Sequence, residues 1–144
     1  MLARRELSEA QVRQRLARRG HSSDLIDSAI RRLLDERAID DARVAEAIAR
    51  TETSLRRRGR IRVRMQIERA GISRTIARRT VDEVFESVDD DAQIEASLAR
   101  RLRGRDSIAD DREFQRLYRY LVGQGYESER VLSTLNRHKG RKGH

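Results

Sequence analysis

Three glycines set the terms on which this chain can fold. Gly20, Gly71 and Gly125 lie 51 and 54 residues apart, and each occupies the same place in one apolar pattern. Eight residues before them stand Val12, Val63 and Leu117, and four before stand Leu16, Ile67 and Leu121. Six residues after come Ile26, Ala77 and Val131, and ten after come Ile30, Val81 and Leu135. Intervals of four on both sides mark the apolar stripes of two helices, and the glycine supplies the left-handed residue that closes the first. The unit is helix, glycine turn, helix, present in three tandem copies.

Capping residues agree with this division. Ser8 with Gln11 three residues on reads as a capping box, Ser22 or Ser23 and Ser73 can cap the helices after the first two glycines, and Glu127-Ser128 is a looser match in the third copy. Asp40-Asp41 and Asp89-Asp90-Asp91 follow the second helix of copies one and two, and acids there favour the positive end of a further helix. Val44 and Ile48, then Ile94 and Leu98, give those helices an apolar stripe. Asp110 or Asp111 opens the helix of copy three, with Phe114, Leu117 and Leu121 facing inward. Eight helices result, with loops near 56–60 and 103–110.

Proline is absent and aromatics make up 3%, so the core must come from Leu, Ile, Val and Ala, which pack well between helices. The expected class is all-α, an elongated, curved array of three tandem three-helix repeats with the third truncated. Their boundaries are 1–55, 56–104 and 105–144, the last with a basic tail, and together they form one elongated domain. A single globular helical bundle is the alternative architecture.

Charge is distributed unevenly along these repeats. The net charge is +9, but residues 56–80 hold ten arginines against Glu68 alone, while residues 81–99 hold seven acids and no base. The densest run is "RRRGRIRVR", residues 56–64. Helical numbering from Arg60 places Ile61, Met65, Val63 and Ile67 on a broad apolar face, with Arg62, Gln66 and Arg69 opposite and Arg60 and Arg64 flanking. Arg56, Arg57 and Arg58 precede the helix, and Arg74, Arg78 and Arg79 cluster on the next one. A charge run is ordinarily a solvated face, and the acids of 82–91 can neutralise part of this one. Ten arginines to one acid exceed local pairing, however, and like charges at i,i+4 oppose a helix by a few tenths of a kcal/mol. Arg56, Arg57, Arg58, Arg60, Arg62, Arg64, Arg69, Arg74, Arg78 and Arg79 are therefore the candidate contacts for a polyanion or an acidic partner.

The pattern of chemistry argues against an enzyme. There is no cysteine, the three histidines are scattered, and no phosphate-binding glycine loop, G-x-S-x-G or H-E-x-x-H occurs, so neither cofactor nor metal site is expected. The carboxylate pairs recur at helix starts, where capping explains them. The glycine turns resemble helix-turn-helix elements, but the second helices are unlike one another and carry few base-reading side chains such as Asn or Gln, so recognition of DNA by sequence is not expected. Tyr118, Tyr120 and Tyr126 are candidates for stacking on single strands, or for the rim of the core. No apolar run approaches the ~18 residues of a membrane span, and "MLARRELSE" lacks the apolar segment of a secretory signal, so a cytoplasmic monomer is expected.

The residues also carry a family resemblance. "LARRELSEAQVRQRLARRGHSSDLIDSAIRRLLDERAIDDARVAEAIA" resembles the opening of the RecX family, bacterial regulators of the RecA recombinase. "GRIRVRMQIERAGIS" is similar to that family's second segment and "LYRYLVGQGYESERVLSTL" to its closing one, in order and at the family's spacing. Departures are Met65 and Ala70, where leucine and lysine are commoner, and Gly123-Gln124 in place of a basic pair. The resemblance implies a non-enzymatic protein of three-helix repeats that binds the RecA–DNA filament. It further implies inhibition of ATP hydrolysis, strand exchange and co-protease activity, in recombination, DNA repair and SOS control, with weaker binding to single- or double-stranded DNA. The +9 block alone supports a different reading, a stand-alone, sequence-independent DNA-binding protein. The acidic segment 81–99, which DNA would repel, favours the first.

Overall fold

The computed structural model describes residues 6–140. These form eight helices: α1 (Glu9–Arg18), α2 (Ser23–Asp35), α3 (Asp41–Ser54), α4 (Arg60–Arg69), α5 (Arg74–Val84), α6 (Asp90–Leu102), α7 (Asp111–Gly123) and α8 (Ser128–Arg137). Among the described residues there is no strand, only an isolated bridge between Ile108 and Lys139. The all-helical expectation holds.

Six of the eight helices start where a short polar side chain can satisfy their orphan N–H groups. Ser8 and Gln11 form the reciprocal capping box of α1. Ser22 caps α2, Asp40 accepts from Arg43 N at 3.2 Å, Ser73 accepts from Ile76 N at 3.3 Å, and Asp89 and Asp110 cap α6 and α7. Glu127 makes no side-chain cap for α8. The three aligned glycines all take positive φ, at 85°, 81° and 102°. At Gly20 and Gly125 the turn has two closing bonds: Gly20 N to Ala17 O and His21 N to Leu16 O, then Gly125 N to Val122 O and Tyr126 N to Leu121 O.

By contact the chain divides into two compact units, one of Met1–Thr51 with Arg64–Val84, the other of Glu52–Val63 with Phe85–His144. In the first unit α1 packs on α2, with Ile26, Ile30 and Ile39 buried beneath the half-buried Val12 and Leu16. Ser8 is fully buried there because its hydroxyl also donates to the Ala70 carbonyl at the end of α4. A β-carbon on Gly71 would collide with the Ala10 side chain, so the second glycine turn is held against α1.

In the second unit α6, α7 and α8 pack on one another around Ile94, Leu98, Leu102, Ile108, Phe114, Leu117, Leu121, Tyr126, Val131 and Leu135. Burial of such side chains stabilises by ~1.5–3 kcal/mol each. Tyr118 and Tyr120 lie half-buried against this core, and Tyr126 is buried in it.

Helix α4 departs from its sequence expectation. Val63 and Ile67 are fully buried, but Ile61 and Met65 are each 41% exposed. At ~100° per residue the two pairs lie roughly 200° apart, so one supporting surface cannot cover both. The four do not share an apolar face.

Candidate partner interface

The first five candidate arginines belong to the segment that leads from α3 into α4, in the second unit. Its backbone is tied to the third glycine turn. Gly59 N donates to Gln124 O at 2.8 Å, Ile61 N to Gly125 O at 3.1 Å, and Gln124 Nε2 to Arg56 O at 3.4 Å. The Tyr126 hydroxyl donates to Arg57 O at 2.8 Å, and burial pushes that phenol's pKa up. A β-carbon on Gly59 would stand 2.5 Å from Gly125 O, so the two glycine backbones touch. Arg57 holds the chain at φ 55°, a left-handed position.

Four of these side chains have structural partners. Arg60 donates from Nε to Asp90 Oδ2 at 2.8 Å and from Nη2 to Phe85 O at 3.1 Å, with its guanidinium 4.8 Å above the centre of the Phe85 ring. Arg62 donates to Gly123 O at 2.8 Å. Arg58, whose side chain is 17% exposed, lies 4.0 Å from the buried carboxylate of Glu52. Neither Arg58 Nε and Nη1 nor Glu52 Oε2 has a hydrogen-bond partner, so their burial is offset by charge pairing rather than by hydrogen bonds. Arg56 reaches the other Glu52 oxygen at 3.4 Å from a half-exposed position. Arg57 is exposed with no carboxylate within ion-pair distance among the described residues. Of the three arginines that precede α4, Arg58 is thus the one drawn into the protein.

The other five candidates lie in the first unit, Arg64 and Arg69 on α4 and Arg74, Arg78 and Arg79 on α5. All are exposed. Arg74 stands 4.0 Å from Glu68, while Arg64, Arg69, Arg78 and Arg79 pair with no carboxylate among the described residues. Arg74, Arg78 and Arg79 line an open surface groove of about 430 Å³ with Thr75, Asp82 and Glu83. On α4 the unpaired arginines share the exposed side with Ile61 and Met65. The ten arginines are thus two groups, one mostly engaged within the protein and one mostly free.

The acidic block is engaged too. Asp89 caps α6, Asp90 holds Arg60, and Asp91 pairs with Arg130 at 3.2 Å. Glu95 accepts from Arg137 at 3.0 Å and contacts His138 Nε2 at 2.7 Å. Burial raises the Glu95 pKa, but hydrogen bonds from Arg137 and His138 outweigh it and hold the carboxyl below its usual range. Helix starts and long-range ion pairs account for most of the block without an external partner. The glycine inside "RRRGRIRVR" was a legible signal of this docking, because a glycine at no turn marks close backbone approach.

Among the described residues no cluster of three His, Asp or Glu side chains could hold a metal ion, and no helix is long and apolar enough to cross a membrane.

Comparison with known proteins places these features in a family. Residues 1–33 match a family model described as "RecX, first three-helix domain". The chain is 34% identical over 136 residues to the regulatory protein RecX of Chromohalobacter salexigens, covering 94% of this chain and 86% of that one. It is 30% identical over 135 residues to the regulatory protein RecX of Halorhodospira halophila, covering 93% and 81%. A crystal structure of RecX from Lactobacillus salivarius superposes with a TM-score of 0.73 at 22% identity, covering 91% of this chain and 84% of that one. That last likeness is one of fold.

Proposed function

The chain belongs to the RecX family, and from that membership we propose that it regulates the RecA recombinase by binding the RecA–DNA filament. Its action there is mainly inhibitory, on ATP hydrolysis, strand exchange and co-protease activity, and serves recombination, DNA repair and SOS control. The protein works without catalytic chemistry of its own, as a monomer in the cytoplasm, and binds bare single- or double-stranded DNA more weakly than the filament.

The observation that carries the reading is the free basic and apolar surface of α4 and α5. Arg64, Arg69, Arg78 and Arg79 are exposed and unpaired, and Ile61 and Met65 stand exposed beside the first two. Bare DNA would leave those apolar side chains in water, whereas an acidic protein surface can cover both kinds of group. Arginines whose like charges oppose one another in the free protein gain most from such a partner.

The test is RecA ATPase on single-stranded DNA, titrated with the wild type and with Arg64→Glu/Arg69→Glu/Arg78→Glu/Arg79→Glu. Each substitution removes one positive charge and adds one negative, so net charge falls from +9 to +1. The wild type should inhibit, and the variant should need at least tenfold more protein while keeping wild-type helicity by circular dichroism. Full inhibition by the folded variant would remove α4 and α5 from the interface. A wild type that binds bare DNA as tightly as the filament at 200 mM salt, without inhibiting, would establish the stand-alone DNA-binding reading instead.

A further inference from the structure

A second basic surface lies wholly inside the second unit, away from the ten candidate arginines in sequence. A groove of about 520 Å³ is lined by Arg101, Arg103, Arg105, Arg116, Arg119 and Glu113, over a floor of Leu117 and Tyr120. Five guanidiniums meet one carboxylate, and that carboxylate is fully engaged. Both Glu113 oxygens accept from Arg105, at 2.9 and 2.6 Å, and Oε1 also accepts from Ala109 N at 2.9 Å. The Arg105 hydrogen bonds, then the Ala109 amide, hold the Glu113 carboxyl down to a pKa of about 2. Glu113 is therefore charged throughout the physiological range and neutralises Arg105.

Arg101, Arg103, Arg116 and Arg119 remain, all exposed and none paired with a carboxylate among the described residues. Two further details describe how the cluster is held. The Arg101 guanidinium lies 3.5 Å from the centre of the Tyr120 ring, so a cation is held over an aromatic face. Arg103 occupies the left-handed region at φ 52° in the residue that ends α6, where a β-carbon is disfavoured and Gly104 follows at φ 88°. The chain accepts that conformation while sending arginines 101, 103 and 105 to one groove.

We propose that this groove binds a nucleotide unit, its phosphates on Arg103, Arg116 and Arg119 and its base stacked over the Arg101–Tyr120 pair. Guanidinium groups grip phosphate with a planar fork, and an aromatic or guanidinium plane takes any base without regard to identity. The volume suits a small-molecule ligand. A nucleotide of a single strand and a free nucleoside polyphosphate share this chemistry. The inference rests on the second unit alone and does not depend on the filament reading.

The test uses the full chain and a fluorescein-labelled oligo-dT, read by fluorescence anisotropy between 50 and 200 mM salt. Three phosphate-binding guanidiniums predict a salt slope of about −2, at ~0.7 per phosphate of a single strand. Arg103→Glu/Arg119→Glu should weaken binding at least tenfold at 100 mM salt and bring the slope to about −0.7 or shallower. Tyr120→Leu keeps the apolar floor and the charges, so it should weaken binding about fivefold or more with the slope unchanged. Displacement of the oligomer by magnesium-free ATP identifies a free nucleotide as a source, and displacement only by unlabelled oligo-dT identifies the strand. Wild-type affinity in folded Arg103→Glu/Arg119→Glu overturns the proposal, as does displacement by poly-glutamate as effective as that by oligo-dT. RecA inhibition by the same variant is a separate readout, so failure of this site and failure of the filament reading remain distinguishable.

Discussion

Replacing Gly59 by alanine tests the docking of the arginine segment on the third glycine turn. The added β-carbon would lie 2.5 Å from Gly125 O, 2.6 Å from Gly125 C and 2.8 Å from Tyr126 N. All three are backbone atoms, so no side chain can rotate away and the two segments must separate by most of an ångström. The bonds from Gly59 N to Gln124 O and from Ile61 N to Gly125 O would lengthen or break. Loss of one or two such bonds, at ~0.5–1.5 kcal/mol each, adds to ~1–3 kcal/mol for forced overpacking. We expect Gly59→Ala to destabilise by about 2–4 kcal/mol in urea unfolding. Two other glycines calibrate this figure. Gly104 has φ 88° with open space around it, so Gly104→Ala should cost only the ~1 kcal/mol of a left-handed alanine. Gly123 ends α7 with nothing nearby, so Gly123→Ala should stabilise by up to ~1 kcal/mol through helix propensity. A Gly59→Ala protein within 1 kcal/mol of the wild type would refute the close approach and with it the anchored start of α4.

Gly71→Ala should cost about 2–4 kcal/mol and Gly20→Ala about 1, because both have positive φ but only Gly71 would drive a β-carbon into Ala10; equal losses in thermal melts would show that α1 does not press on the second turn. Glu113 is depressed from 4.5 to about 2, so its stabilisation is fully present above pH 4.5 and is lost as pH falls toward 2. Glu113→Gln should therefore cost about 1–2 kcal/mol at pH 7, allowing for solvent screening, and the difference from wild type should shrink to a few tenths of a kcal/mol near pH 2, where the folded-state carboxyl is half protonated. A difference undiminished at pH 2 in urea titrations would show that the carboxylate charge is not what stabilises.

Much of this protein is local and was written in the chain. The apolar intervals around Gly20, Gly71 and Gly125 fix three helix pairs, and Ser8, Ser22, Ser73, Asp89 and Asp110 fix where helices begin, because capping and left-handed closure involve residues within a turn of each other. The same motifs in series carried the family. The roles of the arginines were not legible, since each depends on a residue far along the chain. Arg60 meets Asp90 and Arg62 meets Gly123, contacts spanning 30 and 61 positions, and no periodicity encodes them. Residue type alone made "RRRGRIRVR" one basic patch, whereas the fold uses Arg58, Arg60 and Arg62 as anchors and leaves Arg57 and Arg64 in water. Ile61 and Met65 show the same division: a stripe at helical spacing says that one face is apolar, but only the surface packed against α4 decided that Val63 and Ile67 are the pair it buries.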